Sequence, residues 1–157
     1  MRSLPAAFLA LILFVGAAEA EPVRAGWSEP VHFPDLNITL NAKLDTGAKT
    51  SSLGGQDVRE FQRNGQDWIG FAAANGQARI ERPVVRRAKI RRAGAPDQRR
   101  PVVRLLTCFA GVTRLTEFTI TDRSEMTYPL LLGRRFLAGR VVVDAGAINL
   151  TGGDCGP

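Results

Sequence analysis

From Glu21 onward the chain alternates apolar and polar residues over short runs, and this pattern confines it to sheet. Ile38, Leu40, Ala42 and Leu44 are interleaved with Thr39, Asn41, Lys43 and Asp45, the period of a strand with one buried face. Val31 and Phe33, ahead of Pro34-Asp35, predict the preceding strand of the same hairpin. Trp68 to Phe71 and Ala78 to Val85 predict a second pair turning at Asn75-Gly76. Val102 to Phe109 predicts a strand that turns at Gly111 and returns through Leu115 to Thr121. The apolar run Tyr128-Pro129-Leu130-Leu131-Leu132-Gly133 suits a strand buried on both faces, and Arg134 to Ala138 supplies one helical turn. Val141 to Asp144 and Ile148 to Leu150 finish the sheet, and the tail from Gly152 to Pro157 is expected to be loose. Many short strands, Gly and Asn turns and almost no helix predict an all-β closed barrel. At 157 residues and 45% hydrophobic, the chain can build one domain with its own core.

Residues 1–20 read as a signal peptide, and 21–157 as the single domain. Arg2 gives a positive start, Ala6 to Ala18 is unbroken and apolar, and Ala18-Glu19-Ala20 is a small-x-small cleavage site. The run is thirteen residues, short of the roughly 20 a membrane-spanning helix needs. The expectation is an exported protein, periplasmic or secreted, with no stable membrane insertion after cleavage; an uncleaved anchor is the alternative. In that oxidising setting Cys108 and Cys155 are candidates for a disulfide. Sequence leaves the pairing open, because geometry decides it.

The sharpest chemical signal is Leu44-Asp45-Thr46-Gly47-Ala48, where a strand runs into a tight turn. Hydrolysing a peptide without a metal takes one group to deprotonate water and another to protonate the departing atom. Two carboxylates sharing one proton do both, because two like charges a few ångströms apart do not both persist. Asp45 is the candidate catalytic residue. Thr46, through its hydroxyl, Gly47 and Ala48 would shape the site, Gly47 by permitting close backbone approach. A D-T-G triplet alone occurs by chance, and an Asp at a strand end is commonly a turn residue. The second element is Leu130-Leu131-Leu132-Gly133-Arg134, an apolar strand ending in Gly before a helical turn.

With those residues in view, the sequence resembles the bacterial retropepsin-like peptidases long labelled ATP-dependent zinc proteases. The resemblance rests on Gly26-Trp27, on the run Ala42 to Leu53, on Arg100-Pro101-Val102-Val103-Arg104, and on Tyr128 to Arg134 with Val143-Asp144. It implies a retropepsin-like single-lobe β-barrel with one short helix after the Leu-Leu-Gly strand, whose Gly133 would shape the site by letting two segments cross beneath the catalytic loop. It also implies one D-T-G per chain and an active site completed in a homodimer. Lys89 to Pro101 would be the flap, with Gly94, Ala95, Pro96, Arg92 and Arg99 as its substrate-binding residues. Where the family commonly carries a His after the Thr-Ser-x-Leu run, this chain has Gly54-Gly55.

The expectation is therefore no cofactor and no metal. The chain has one His, His32, two distant cysteines, no H-E-x-x-H and no P-loop, whereas catalytic zinc usually takes three protein ligands. His32 is expected near the surface of a strand. Asp144 lacks a following Thr-Gly and is expected to cap the turn into Ala145-Gly146. Of the net charge of +6, Arg82 to Arg104 alone carries +8, from nine cations and Asp97. A solvated flap face is the plain reading, and an electropositive wall for acidic peptides the sharper one. Nucleic acid is not expected, since no aromatics interleave with the arginines. Two functions remain: an aspartic endopeptidase acting on a peptide or protein substrate, and a non-catalytic peptide- or cell-wall-binding module on the same fold.

Overall fold

A computed structural model describes residues 21–74, 76–92, 94–152 and 155. Residues 1–20, read above as a signal peptide, the turn position Asn75 and most of the tail beyond Gly152 lie outside the described residues. Alternation becomes sheet as expected. β1 (Val23–Phe33) and β2 (Ile38–Asp45) form an antiparallel hairpin across a 3-10 turn at Pro34–Leu36. Asn37 closes that turn at φ 51°, a conformation Asn tolerates better than most residues. Along β2, Leu40, Ala42 and Leu44 are buried while Thr39, Asn41 and Lys43 are exposed.

β3 (Ser51–Gly54) and β10 (Leu130–Gly133) bring the two motifs together. β10 lies between β2 and β3, parallel to the first and antiparallel to the second. The chain therefore leaves β2 at Asp45, passes over the end of β10 and descends as β3. β9 (Val112–Thr121) runs parallel to β3, and β8 (Ala95–Phe109) pairs with β9 through a turn with Ala110 and Gly111 at positive φ. β8 then meets β1 at Cys108 opposite His32, closing the ring. Inside it Phe33, Leu53, Leu105, Phe118, Leu130 and Leu132 are essentially fully buried. Each such side chain stabilises the fold by about 1.5–3 kcal/mol.

β4 (Gln56–Arg63), β5 (Gln66–Ala73) and β6 (Ala78–Pro83) form a second sheet. Ile69, Phe71 and Ile80 carry it into the same core. β4 escapes the sequence pattern because it is exposed nearly throughout and is held by its ladder to β5. β7 (Arg86–Arg92) pairs with the first half of β8, so that strand starts seven residues before the predicted Val102. Backbone pairing tolerates the charges there because their side chains reach solvent.

The helical turn α1 (Arg134–Leu137) precedes β11 (Val141–Ile148), one continuous strand parallel to β1 at the sheet edge. The tail is not loose throughout. Cys155 is disulfide-bonded to Cys108 on β8, with Cα atoms 5.9 Å apart. Buried Glu29 anchors the chain just before it. Its carboxylate accepts hydrogen bonds from the backbone N–H groups of Gly26 (2.5 Å), Leu150 (2.8 Å) and Thr151 (3.0 Å) and from the Thr151 hydroxyl (2.8 Å). Burial pushes its pKa up, but the donors from Thr151, Leu150 and Gly26 outweigh that and leave it below the usual carboxylate value.

Candidate active site

Asp45 stands at the last position of β2, half-buried, level with Gly133 across the ladder. Its Oδ1 accepts hydrogen bonds from the N–H groups of Gly47 (2.9 Å) and Ala48 (3.1 Å). The loop thus folds back over its own carboxylate and fixes its direction. No described residue donates to Oδ2. The loop is pinned from below by α1. The N–H groups of Arg134 and Arg135 donate to the carbonyls of Ala48 (2.8 Å) and Lys49 (3.1 Å), and the Arg134 guanidinium bonds those of Thr46 (2.9 Å) and Gly47 (2.6 Å). The Thr46 residue itself is exposed. Within one chain, Arg134 supplies the lock that sequence assigned to the Thr46 hydroxyl.

Gly133 is where the crossing is tightest. A Cβ there would lie 2.8 Å from the carbonyl carbon of Thr50 and 2.9 Å from the oxygen of Ala48. Its N–H donates to the Ser51 hydroxyl at 3.1 Å, and Thr119 holds the Ser51 carbonyl at 3.1 Å. Asp45, Thr46, Gly47, Ala48 and Gly133 are therefore assembled in one place.

A cavity of about 880 Å³ opens between this loop and the β7–β8 hairpin, within the size range of substrate clefts. Lys49, Lys89, Arg91, Arg100, Arg123 and Arg134 line it, and no carboxylate among the described residues does. Asp45 lies beside it, since its donors Gly47 and Ala48 form part of the wall. Burial and then the repulsion of Arg100 push the Arg123 guanidinium below its ordinary value, while Asp45 pulls it back part of the way. The Ser52 hydroxyl, also in the lining, is buried without a partner.

In the hairpin that the resemblance makes a flap, Arg92 pairs with Ala95 across the tip, Gly94 takes φ +71°, and Pro96 is exposed. Arg99 is exposed and outside the cleft lining, whereas its neighbours Arg91 and Arg100 are in it. Sequence reasoning missed Arg123 and Lys49, which carry no local signal beyond charge, and gave Arg134 no role although it stands next to Gly133. Asp144 caps as expected, accepting from Gly146 N–H at 2.8 Å and pairing with Arg24. His32 is half-buried on β1 and bonds Thr39 at 3.1 Å. Among the described residues, no three His, Cys, Asp or Glu side chains cluster as metal ligands.

A family model described as retropepsin-like aspartic endopeptidase RimB matches residues 24–151. A "Probable alpha-L-glutamate ligase" from Shewanella pealeana is 32% identical over 126 residues, covering 76% of this chain and 28% of its own length. One of the same name from Parasynechococcus marenigrum is 33% identical over 129 residues, again covering 28% of its length. The chain thus spans about a quarter of the curated relatives it matches. Among solved structures, Lpg0085 of Legionella pneumophila, a protein of unknown function, superposes with a TM-score of 0.70 at 31% identity. That match covers 82% of this chain and 97% of the other.

Proposed function

The chain belongs to the RimB-like family of retropepsin-like aspartic endopeptidases, and on that premise we propose that it hydrolyses peptide bonds with Asp45 and its copy in a second, identical subunit. The observation that carries this reading is the Asp45 carboxylate itself: one oxygen is fixed by two backbone donors that form part of the wall of a substrate-sized cleft, and the other takes no donor among the described residues. One such carboxylate holds or gives a proton but does not do both in a single turn of the reaction. Paired across a two-fold axis, the ionised Asp45 takes a proton from water, which attacks the scissile carbonyl carbon. The neutral copy protonates the carbonyl oxygen. As that adduct collapses the C–N bond breaks, Asp45 passes the proton it took from water to the leaving nitrogen, and the copy takes back a proton from one of the adduct's hydroxyls. The exposed Thr46 and Gly47 suit a loop that meets its own copy, each subunit offering the same surface. The exposed Val142, Ile148 and Leu150 on and just after the edge strand β11 give a second subunit apolar area to bury.

The substrate is proposed to be acidic. A cleft lined by cations concentrates anionic chains, and the curated relatives carry glutamate ligation in their names. Export is proposed with it, supported by the signal-like residues 1–20 and by the Cys108–Cys155 disulfide, which suits an oxidising compartment.

The test is Asp45→Asn, which keeps an oxygen for the Gly47 and Ala48 donors but no longer titrates. Cleavage of a peptide library rich in Glu and Asp should fall by at least about a hundredfold with the fold unchanged. Wild type and variant refolded together should lose activity as the square of the wild-type fraction. A linear fall would mean that one chain holds a whole site, and equal cleavage by the variant would remove the aspartic mechanism.

A further inference from the structure

A second cavity, of about 180 Å³, adjoins the cleft, and Arg123 belongs to the walls of both. Gly54, Gly55, Ala72, Ala74 and Thr127 also line it, so much of its wall is backbone and short side chains. Among the described residues that line it, Arg123 carries the one charge. The volume exceeds the roughly 30 Å³ share of a water several times over, which leaves room for a short side chain with water beside it.

Arg123 is held at its root and free at its tip. Gly54 leaves space for its stem, since a Cβ there would come within 3.3 Å of the Arg123 Cβ. Its Nε–H donates to the Tyr128 carbonyl at 2.9 Å, and the Tyr128 ring stands edge-on to Trp27 with 5.7 Å between centroids. Nη1 and Nη2 make no hydrogen bond to a described residue, and neither is among the buried side-chain atoms that lack a partner. Both are therefore open to solvent. Asp45 acts on this guanidinium through space, and Arg100 repels it. Two free donors side by side on a fixed, half-buried cation suit a carboxylate that accepts from both at once.

We propose that Arg123 and the cavity beside it form a specificity subsite for one carboxylate of the substrate, carried by an acidic side chain or by the end of the peptide chain. Its distance from the reacting atoms sets which residue is selected. Pro129, in the cavity wall, precedes Gly133 by four positions on the run into β10, and Gly133 is level with Asp45. At about 3.3 Å per residue this is on the order of 13 Å. An extended peptide covers that in about two to four residues once the reach of its own side chain and of Arg123 is allowed for. The cations elsewhere in the cleft attract acidic chains as a whole, whereas Arg123 selects one position.

The inference rests on the reading of the cleft as a peptidase site, and the experiment keeps the two apart by following cleavage with wild type and binding with Asp45→Asn. In one arm a single Glu is moved stepwise along an otherwise neutral, end-capped peptide, each version against Gln at the same position. In the other a neutral peptide is compared with its C-terminus free and amidated. The readout is the preference for carboxylate over amide within each enzyme, as kcat/KM and as Kd, so that a general loss of activity cancels. One Glu position, or the free terminus, should be favoured by about tenfold or more. Arg123→Gln should bring that ratio close to unity. Thr127→Glu leaves Arg123 in place and sets a competing carboxylate in the same wall; it should lower the ratio severalfold, and it keeps the test decisive if the Arg123 variant folds poorly. Preference in the first arm assigns an acidic side chain, and in the second a chain end. Preference in binding with no cleavage would remove the peptidase reading and keep the subsite. No preference in either arm, an equal gain wherever the Glu stands, or a preference that survives in Arg123→Gln would overturn the proposal.

Discussion

Replacing Gly133 with Ala should cost far more activity than stability. The added methyl would sit 2.8 Å from the Thr50 carbonyl carbon, 2.9 Å from the Ala48 oxygen and 3.0 Å from the Thr50 nitrogen. Carbons in good contact lie at about 3.5–4.0 Å, so the structure has to yield by at least about 0.7 Å. The atoms it meets are backbone, and no rotamer relieves them. β10 is fixed on both sides by β2 and β3, which leaves the 46–50 loop as the part that moves. Overpacking of this kind costs about 1–3 kcal/mol. A domain stable by about 5–15 kcal/mol remains almost wholly folded. The loop, however, carries Asp45 and both donors to its carboxylate, and misplacement on the order of 1 Å at a reacting group costs about a hundredfold. The expected result is a melting temperature lower by a few degrees and a kcat/KM on acidic peptides lower by roughly ten- to a hundredfold. Gly65→Ala serves as the control. Gly65 has φ +74° with nothing within 4 Å of a built Cβ, so it should lose about 1–2 kcal/mol from a turn in the other sheet and keep its activity. Full activity in the Gly133 variant, or matching losses in both variants, would refute the crossing argument.

Three further outcomes follow from other contacts. The pKa of Glu29 is depressed, so its stabilising contribution is fully present above the ordinary carboxylate value of about 4.3. It disappears as pH falls through the lowered value, and the gap in melting temperature between wild type and Glu29→Gln should narrow below about pH 4. Reducing the Cys108–Cys155 bond, which closes a separation of 47 residues, should remove about 2–4 kcal/mol; dithiothreitol should lower the melting temperature of wild type and leave that of Cys155→Ser unchanged. Arg91→Gln with Arg100→Gln should reduce kcat/KM for acidic peptides more than for neutral ones. That difference should shrink with salt as the Debye length falls from about 10 Å at 0.1 M to about 3 Å at 1 M, and identical salt curves for both peptides would leave these arginines as solvated surface.

What the sequence discloses here depends on whether a constraint is local. The β1–β2 hairpin was readable because its determinants are neighbours: alternation through Leu44, and a Pro34-Asp35 turn closed by Asn37. The Asp45 loop was readable for the same reason, since the groups that hold Asp45 are its own next residues but one and two. β4 was missed because its residues bury almost nothing, and its strand exists by virtue of the partner β5. The start of β8 was missed likewise: nothing in a run of arginines announces a ladder, and the pairing with β7 supplies it.

The same distinction separates the parts of the site. Gly133 and Asp45 lie 88 positions apart in the chain, yet both could be named, because each carries a steric or chemical demand that few residues meet. A glycine is needed where two backbones cross, and a carboxylate where a proton is to be shared. Arg123 and Lys49 meet no such demand; many cations would serve, and only the folded cleft selects them. The Asp45 loop is therefore written locally, while the set of cations around the cleft is a property of the assembled barrel.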